Sequence, residues 1–298
     1  MAGGATSPLH ARSVEANGLE FGVLEAGSGP LALCLHGFPD SAHSWRHLLP
    51  ALAGAGFHAV APFMRGYAPT AVPADGNYGI GALIADAVAL HDALDGDEGA
   101  VLIGHDWGAA AAYGAAAFAS DRWRRVVAAA VPPFALNARM FGDYDQVRRF
   151  FYFFFFGTSL AGPVVAADEL AFIERLWRDW SPRYDPSEDL VHVKSSLGDP
   201  ANLEAALGYY RAVLELLEGA GGPDPFPAET AAVAEIGPQP TLYLHGDVDG
   251  CVGLELVHDV EKHFPPDSRL EVIEGTGHFL HLERPDDVNE RILDWIGG

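Results

Sequence analysis

The sequence predicts an α/β fold, a doubly wound and mostly parallel sheet with helices on both faces and a helical block inserted after the sixth strand. Three observations lead there. Short apolar runs of strand character alternate with helical periodicity over residues 19–131 and again over 241–297. Between Phe134 and about Ala232 only helical spacing recurs. Finally, a 298-residue chain that is 49% hydrophobic and 20% charged has ample material for a buried core.

In chain order, Leu19–Glu25 reads as an edge strand and Leu31–Leu35 as a buried one. A helix follows with Trp45, Leu48, Leu49 and Leu52 on one face. His58–Pro62 is the next strand, and Tyr78–Leu94 is helical, with Leu83, Ile84, Ala87, Val88 and Leu94 on one side. The Val101 strand runs into an alanine-rich helix, and Arg125–Val131 is a strand stopped by Pro132-Pro133. Helical spacing then returns around Leu170–Trp180, Leu190–Leu197 and Leu203–Leu217, and a Gly-, Pro- and Ala-rich linker, Gly219–Pro240, closes the block. Thr241–His245 resumes the strands, followed by a helix near Leu254–His263, the strand Leu270–Ile273 and a last helix with Val288, Ile292 and Trp295. The expected division is a core over 1–132, a helical cap over 133–232 and the rest of the core over 233–298.

A formal net charge of −23 argues against nucleic acid and anionic membranes as partners, because both would repel such a surface. Met1–Glu25 has no basic region followed by an apolar stretch, so no leader is read there. The aromatic run Phe150–Phe156 falls far short of the ~20 residues of a membrane helix. Two cysteines, Cys34 and Cys251, do not suggest a disulfide scaffold, and a soluble protein of the reducing cytoplasm is expected. A homodimer is left open.

In an open parallel sheet, chemistry gathers beyond the carboxyl ends of the strands. There the Val101 strand enters Gly104-His105-Asp106-Trp107-Gly108 and a helix begins at once. Two glycines around a central residue allow the sharp turn of a nucleophile elbow, here presenting Asp106 where serine is usual. Asp is also a good helix N-cap, but a cap needs no tight elbow. After the Leu31 strand, His36-Gly37-Phe38-Pro39 offers the Phe38 N–H as an oxyanion donor, with the Trp107 N–H as its partner. Gly246-Asp247-Val248-Asp249 supplies two candidate acids to orient a histidine. Glu274-Gly275-Thr276-Gly277-His278 supplies that histidine, whereas His281 is assigned to the following turn. The order nucleophile, acid, histidine is that of an α/β-hydrolase triad, and no G-x-S-x-G occurs in the chain.

These segments resemble the α/β-hydrolase superfamily and, more narrowly, its epoxide hydrolases, from about Gly18 to Trp295. His36–Pro39 is similar to that family's H-G-x-P segment, Gly104–Gly108 to its G-H-D-W-G turn, Gly246–Asp249 to its G-x-x-D acid segment and Gly277–Phe279 to its histidine segment. The resemblance selects Asp249 over Asp247. It also implies two cap tyrosines as donors to the epoxide oxygen. One matches Tyr210 in Gly208–Arg211 and the other Tyr152 in Tyr152–Phe156, with Tyr209 and Tyr144 as fallbacks. In Ala61–Tyr67, Phe63 stands where the family has aspartate.

The implied activity is hydrolysis of a small hydrophobic epoxide to a vicinal diol through an ester on Asp106, with no metal or cofactor. Phe38, Trp107, Phe153 and Phe156 would wall the substrate pocket, with Trp177 and Trp180 adding to an aromatic cap. Two other readings remain. A haloalkane or haloacid dehalogenase would use the same aspartate, and a non-catalytic homologue would only bind small apolar molecules.

Overall fold

The computed structural model describes residues 8–220 and 222–298. Part of the Met1–Glu25 stretch and one residue of the Gly219–Pro240 linker therefore lie outside the described residues. One eight-stranded sheet is built from β1 (His10–Ala16), β2 (Leu19–Gly27), β3 (Leu31–Leu35), β4 (His58–Pro62), β5 (Val101–His105), β6 (Arg125–Ala129), β7 (Thr241–Gly246) and β8 (Arg269–Ile273). The strand order is β1-β2-β4-β3-β5-β6-β7-β8. β2 runs antiparallel to both its neighbours, and every other pairing is parallel. The expected edge strand is thus an inner one. β1, exposed over His10–Ser13 and at Glu15 and buried only at Val14 and Ala16, takes the edge beside it.

The middle strands are buried end to end, as Leu31–Leu35 and Val101–His105 show. Such strands need cover on both faces. It comes from α1 (Leu48–Gly54), α2 (Ile80–Ala93), α3 (Trp107–Phe118) and, at the end of the chain, α11 (Leu280–Glu283) and α12 (Pro285–Gly297). Small residues bring α2 and α3 together: a methyl added at Gly114 would lie 2.2 Å from Ile84 Cδ1. The helix expected near Leu254–His263 is instead two short 3₁₀ turns, Leu254–Leu256 and Val260–His263. Pro265-Pro266 just beyond limits its length.

Between β6 and β7 the chain is helical among the described residues, comprising α4 (Asn137–Gly142), α5 (Tyr144–Arg149), α6 (Phe151–Phe156), α7 (Ala161–Trp180), α8 (Ser187–Leu197), α9 (Pro200–Glu218) and α10 (Pro227–Ala232). α7 is interrupted at Ala167–Leu170, where Asp168, Glu169 and Leu170 have positive φ. α10 lies within the stretch read as linker and packs on α2, where a methyl at Gly81 would meet Thr230 Oγ1 at 2.2 Å. No helix among the described residues is long and apolar enough to cross a membrane.

The strand register is what positions the site. Leu35 pairs with Gly104, His105 with Ala129 and Gly246 with Ile273. The loops after β3, β5, β7 and β8 therefore emerge at one end of the sheet.

Candidate active site

Asp106 sits between β5 and α3 at φ 53°, ψ −117°, a conformation that costs an L-residue about 1–3 kcal/mol. Its surroundings force the two flanking glycines. A methyl at Gly104 would lie 2.2 Å from the Gly108 carbonyl oxygen, and one at Gly108 would lie 2.1 Å from that of Leu35. The elbow is pressed against the loop after β3, and a methyl at Gly37 would stand 2.3 Å from Asp106 Oδ1.

That contact serves a hydrogen bond. The Phe38 N–H donates to Asp106 Oδ1 at 2.7 Å. The Trp107 N–H, first in α3, has no partner within the helix, as at any helix start. His36 holds the loop: its Nε2 accepts from the Met64 N–H at 3.0 Å, so Nδ1 carries the proton and donates to the Gly37 carbonyl at 2.8 Å. Burial pushes this imidazole down to about 4, in keeping with that neutral tautomer. Phe63, beside it, is buried with its ring 5.5 Å from that of His43.

Asp106 Oδ2 faces His278 Nε2 at 3.6 Å, and His278 Nδ1 lies 3.0 Å from Asp249 Oδ2. The other oxygen of Asp249 accepts from the Cys251 and Val252 N–H groups at 2.7 and 3.0 Å. Burial alone would raise Asp249, but His278 and these hydrogen bonds hold it below its ordinary value. Asp247 turns away and accepts from the Gly275 N–H at 2.6 Å.

The C-terminus of α7 locks these loops together. The Trp180 carbonyl accepts from both the Gly250 and the His278 N–H groups, each at 3.1 Å. Trp177 Nε1 donates to the Pro39 carbonyl at 2.8 Å, and its ring stacks on Phe279 at 3.5 Å. The two tryptophans of the aromatic cap thus back the loops.

Behind His278, polar atoms of Asp40, His105 and His281 lie within 4.8 Å of one another. Burial raises Asp40 and lowers both imidazoles, His105 to about 3, favouring uncharged forms. His105 Nε2 donates to the His278 carbonyl at 3.0 Å. His281 is buried in α11, packed 4.6 Å from the His105 ring.

In front of Asp106 is an apolar cavity lined by Trp107, Ala110, Val131, Pro132, Phe134, Met140, Phe141, Phe150, Tyr152, Phe153, Tyr210, Cys251 and Val252. Tyr152 from α6 and Tyr210 from α9 are its two phenols, with ring centroids 5.7 Å apart, and burial pushes both well above their ordinary value. Tyr209 instead donates to the Arg65 carbonyl at 2.8 Å, and Tyr144 is 78% exposed. Trp107 and Phe153 belong to the lining. Phe38 and Phe156 do not, and they pack against the Tyr210 ring at 5.2 and 5.0 Å. Period 3.6 explains the split within the aromatic run: Phe151 and Phe154 face outward while Phe150, Tyr152 and Phe153 face in.

Sequence reasoning misses the wall from Val131 to Phe141. Pro132-Pro133 signals only a strand stop, although the carboxyl end of β6 marks it as a site-facing loop.

An aspartate on a strained elbow, a histidine and acid on later strand-end loops and a helical block over the sheet end define an α/β-hydrolase, and the family model for the alpha/beta hydrolase fold matches residues 30–285. Epoxide hydrolase A of Mycobacterium tuberculosis is 31% identical, covering 96% of this chain and 97% of the relative. Epoxide hydrolase 1 of Siraitia grosvenorii is 29% identical, covering 95% and 97%. The crystal structure of epoxide hydrolase A from Mycobacterium thermoresistibile superposes with a TM-score of 0.81 at 28% identity, covering 98% of this chain and 99% of that one. The chain belongs to the epoxide hydrolase family of the α/β-hydrolase fold.

Proposed function

We propose that this enzyme opens a small apolar epoxide to a vicinal diol through a covalent ester on Asp106. The observation that carries this reading is the unequal environment of the two carboxylate oxygens. Oδ1 is held by the Phe38 N–H, while Oδ2 faces His278 and the cavity. Oδ2 attacks a ring carbon in line, the carbon–oxygen bond breaks, and the ring oxygen takes a proton from Tyr152 or Tyr210. Both phenols keep their protons at neutral pH and so can donate. A water then attacks the ester carbonyl as neutral His278, oriented by Asp249, accepts its proton. Charge develops on Oδ1, where the Phe38 and Trp107 N–H groups each contribute about 3 kcal/mol. The tetrahedral centre collapses, the diol oxygen leaves with the proton from His278, and the proton left on the Asp106 carboxyl passes through solvent to the phenolate, which regenerates both groups. The division at residues 132/133 and 232/233 fits this reading, with the intervening segment supplying the phenols.

Replacing both Tyr152 and Tyr210 by Phe is expected to slow ring opening by about 100- to 10,000-fold, read as the rate of ester formation in a single turnover. An undiminished rate would assign the donors elsewhere. Gly37→Ala is expected to displace Oδ1 from the Phe38 N–H and lower kcat/KM by about 100-fold, with far-UV circular dichroism unchanged. Wild-type kinetics in that variant would remove the oxyanion role from this loop.

A further inference from the structure

Cys251 lines the cavity with Asp106, Tyr152 and Tyr210 but has no part in the steps above. Its Sγ lies 3.3 Å from the Tyr152 hydroxyl oxygen. The backbone of Cys251 is held independently of that side chain. Its N–H donates to Asp249 Oδ1 at 2.7 Å, and its carbonyl accepts from Gln146 Nε2, also at 2.7 Å. Gln146, buried in α5, clamps the loop again by accepting from the Gly253 N–H at 3.0 Å. The sulfur is thus delivered to Tyr152 by a loop already fastened to the acid that orients His278.

Sγ also lies within 4.8 Å of a His278 ring nitrogen and an Asp249 carboxylate oxygen, while its hydrogen-bond contact is with the Tyr152 hydroxyl. Burial raises the Cys251 thiol and the Tyr152 phenol, so both are protonated at neutral pH. If the phenol donates to sulfur, its proton points away from a substrate in the cavity. If the thiol donates to the phenol oxygen, the phenol proton is free for an epoxide oxygen. A hydroxyl oxygen is a better acceptor than sulfur, so the second arrangement prevails once substrate offers an oxygen. The ring itself is confined by Trp180 at 4.9 Å and Phe156 at 5.6 Å, which leaves the hydroxyl rotor as the degree of freedom to be set.

We propose that Cys251 is a positioning residue for ring opening, its thiol donating to the Tyr152 oxygen and turning the phenol proton toward the epoxide. This assignment rests on Tyr152 being a ring-opening donor. It adds one residue, on a different loop, whose hydrogen bond acts on the first chemical step.

The test is a double-mutant cycle on Cys251→Ala and Tyr152→Phe, with Cys251→Ser as the conservative variant, each melted to check its fold. Rates of ester formation and ester breakdown are measured separately in single turnovers by quenching and intact-protein mass. Cys251→Ala is expected to slow ester formation about fivefold, the worth of one neutral hydrogen bond. Ester breakdown, which Cys251 touches only through its closeness to His278, should change by less than formation does, and Cys251→Ser should restore formation to within about twofold. In the Tyr152→Phe background Cys251→Ala should have no further effect. If Tyr152→Phe slows ester formation but Cys251→Ala does not, the role of Cys251 is overturned and Tyr152 stands. That role is equally overturned if Cys251→Ala slows both backgrounds alike, or slows breakdown as much as formation. If Tyr152→Phe alone leaves ester formation unchanged, the donor reading fails and the Cys251 role falls with it.

Discussion

Asp106→Ala is expected to lower epoxide turnover by about four orders of magnitude or more, since no other group can take over a covalent step. The side chain makes few structural contacts. It accepts from the Phe38 N–H and faces His278, and it lies at the floor of a cavity rather than inside the packed core. Its loss leaves one buried N–H without an acceptor, which costs about 1–3 kcal/mol. The melting temperature should therefore fall by only a few degrees while activity disappears. Turnover of an epoxide panel and a thermal melt on the same preparation check this. Substantial residual turnover in a folded Asp106→Ala protein would remove the nucleophile assignment.

His278→Gln should stall the reaction halfway. Ring opening does not need the imidazole, whereas ester hydrolysis loses its base and slows by about 100- to 10,000-fold. A tryptic peptide spanning Asp106 should then carry the mass of the substrate. Consumption of substrate without any adduct would sink the covalent mechanism.

The imidazole also sets a pH dependence. Burial works against the charged ring, but the Cys251 sulfur and the Asp249 and Asp106 carboxylates outweigh it and hold His278 well above its ordinary value. Of these the carboxylates act at neutral pH, because burial keeps the Cys251 thiol protonated. Esterification removes the negative charge of Asp106, 3.6 Å from Nε2, so the ring should release its proton more readily in the intermediate. A base works deprotonated. Ester breakdown must therefore rise with pH through a value below that of the free enzyme. The pH profile of ester breakdown, set against an NMR titration of His278 in the resting protein, measures the difference. Equal values in the two states would show that Asp106 does not control the base.

Much of this site can be located in the linear chain because its parts are local. Gly104-His105-Asp106-Trp107-Gly108 needs no distant residue to be recognised as a tight turn between an apolar strand and an alanine-rich helix, and both glycines prove sterically necessary. His278 and Asp249 each follow a short strand, and the sheet register brings them to within hydrogen-bond reach. Elements without strong periodicity are harder to read. β1 is a charged edge strand whose exposed residues disguise it, α10 is a short helix in a Pro- and Ala-rich stretch, and the region near Leu254–His263 winds as 3₁₀ turns. Whether a residue lines the cavity is harder still. Phe38 and Phe156 are as aromatic as Phe153, yet only Phe153 reaches the lining.

By itself the sequence determined the fold class, the family and which strand ends carry polar groups, because strand and helix periods and tight glycine turns are properties of neighbouring residues. Tertiary structure alone decided which of Tyr144, Tyr152, Tyr209 and Tyr210 meet at the cavity and that Cys251 stands beside Tyr152. It also decided that Trp177 and Trp180 brace the loops rather than wall the pocket. Those choices depend on how α5, α6, α7 and α9 pack over the sheet end. Packing of that kind is a relation between distant segments, with no local signature in the chain.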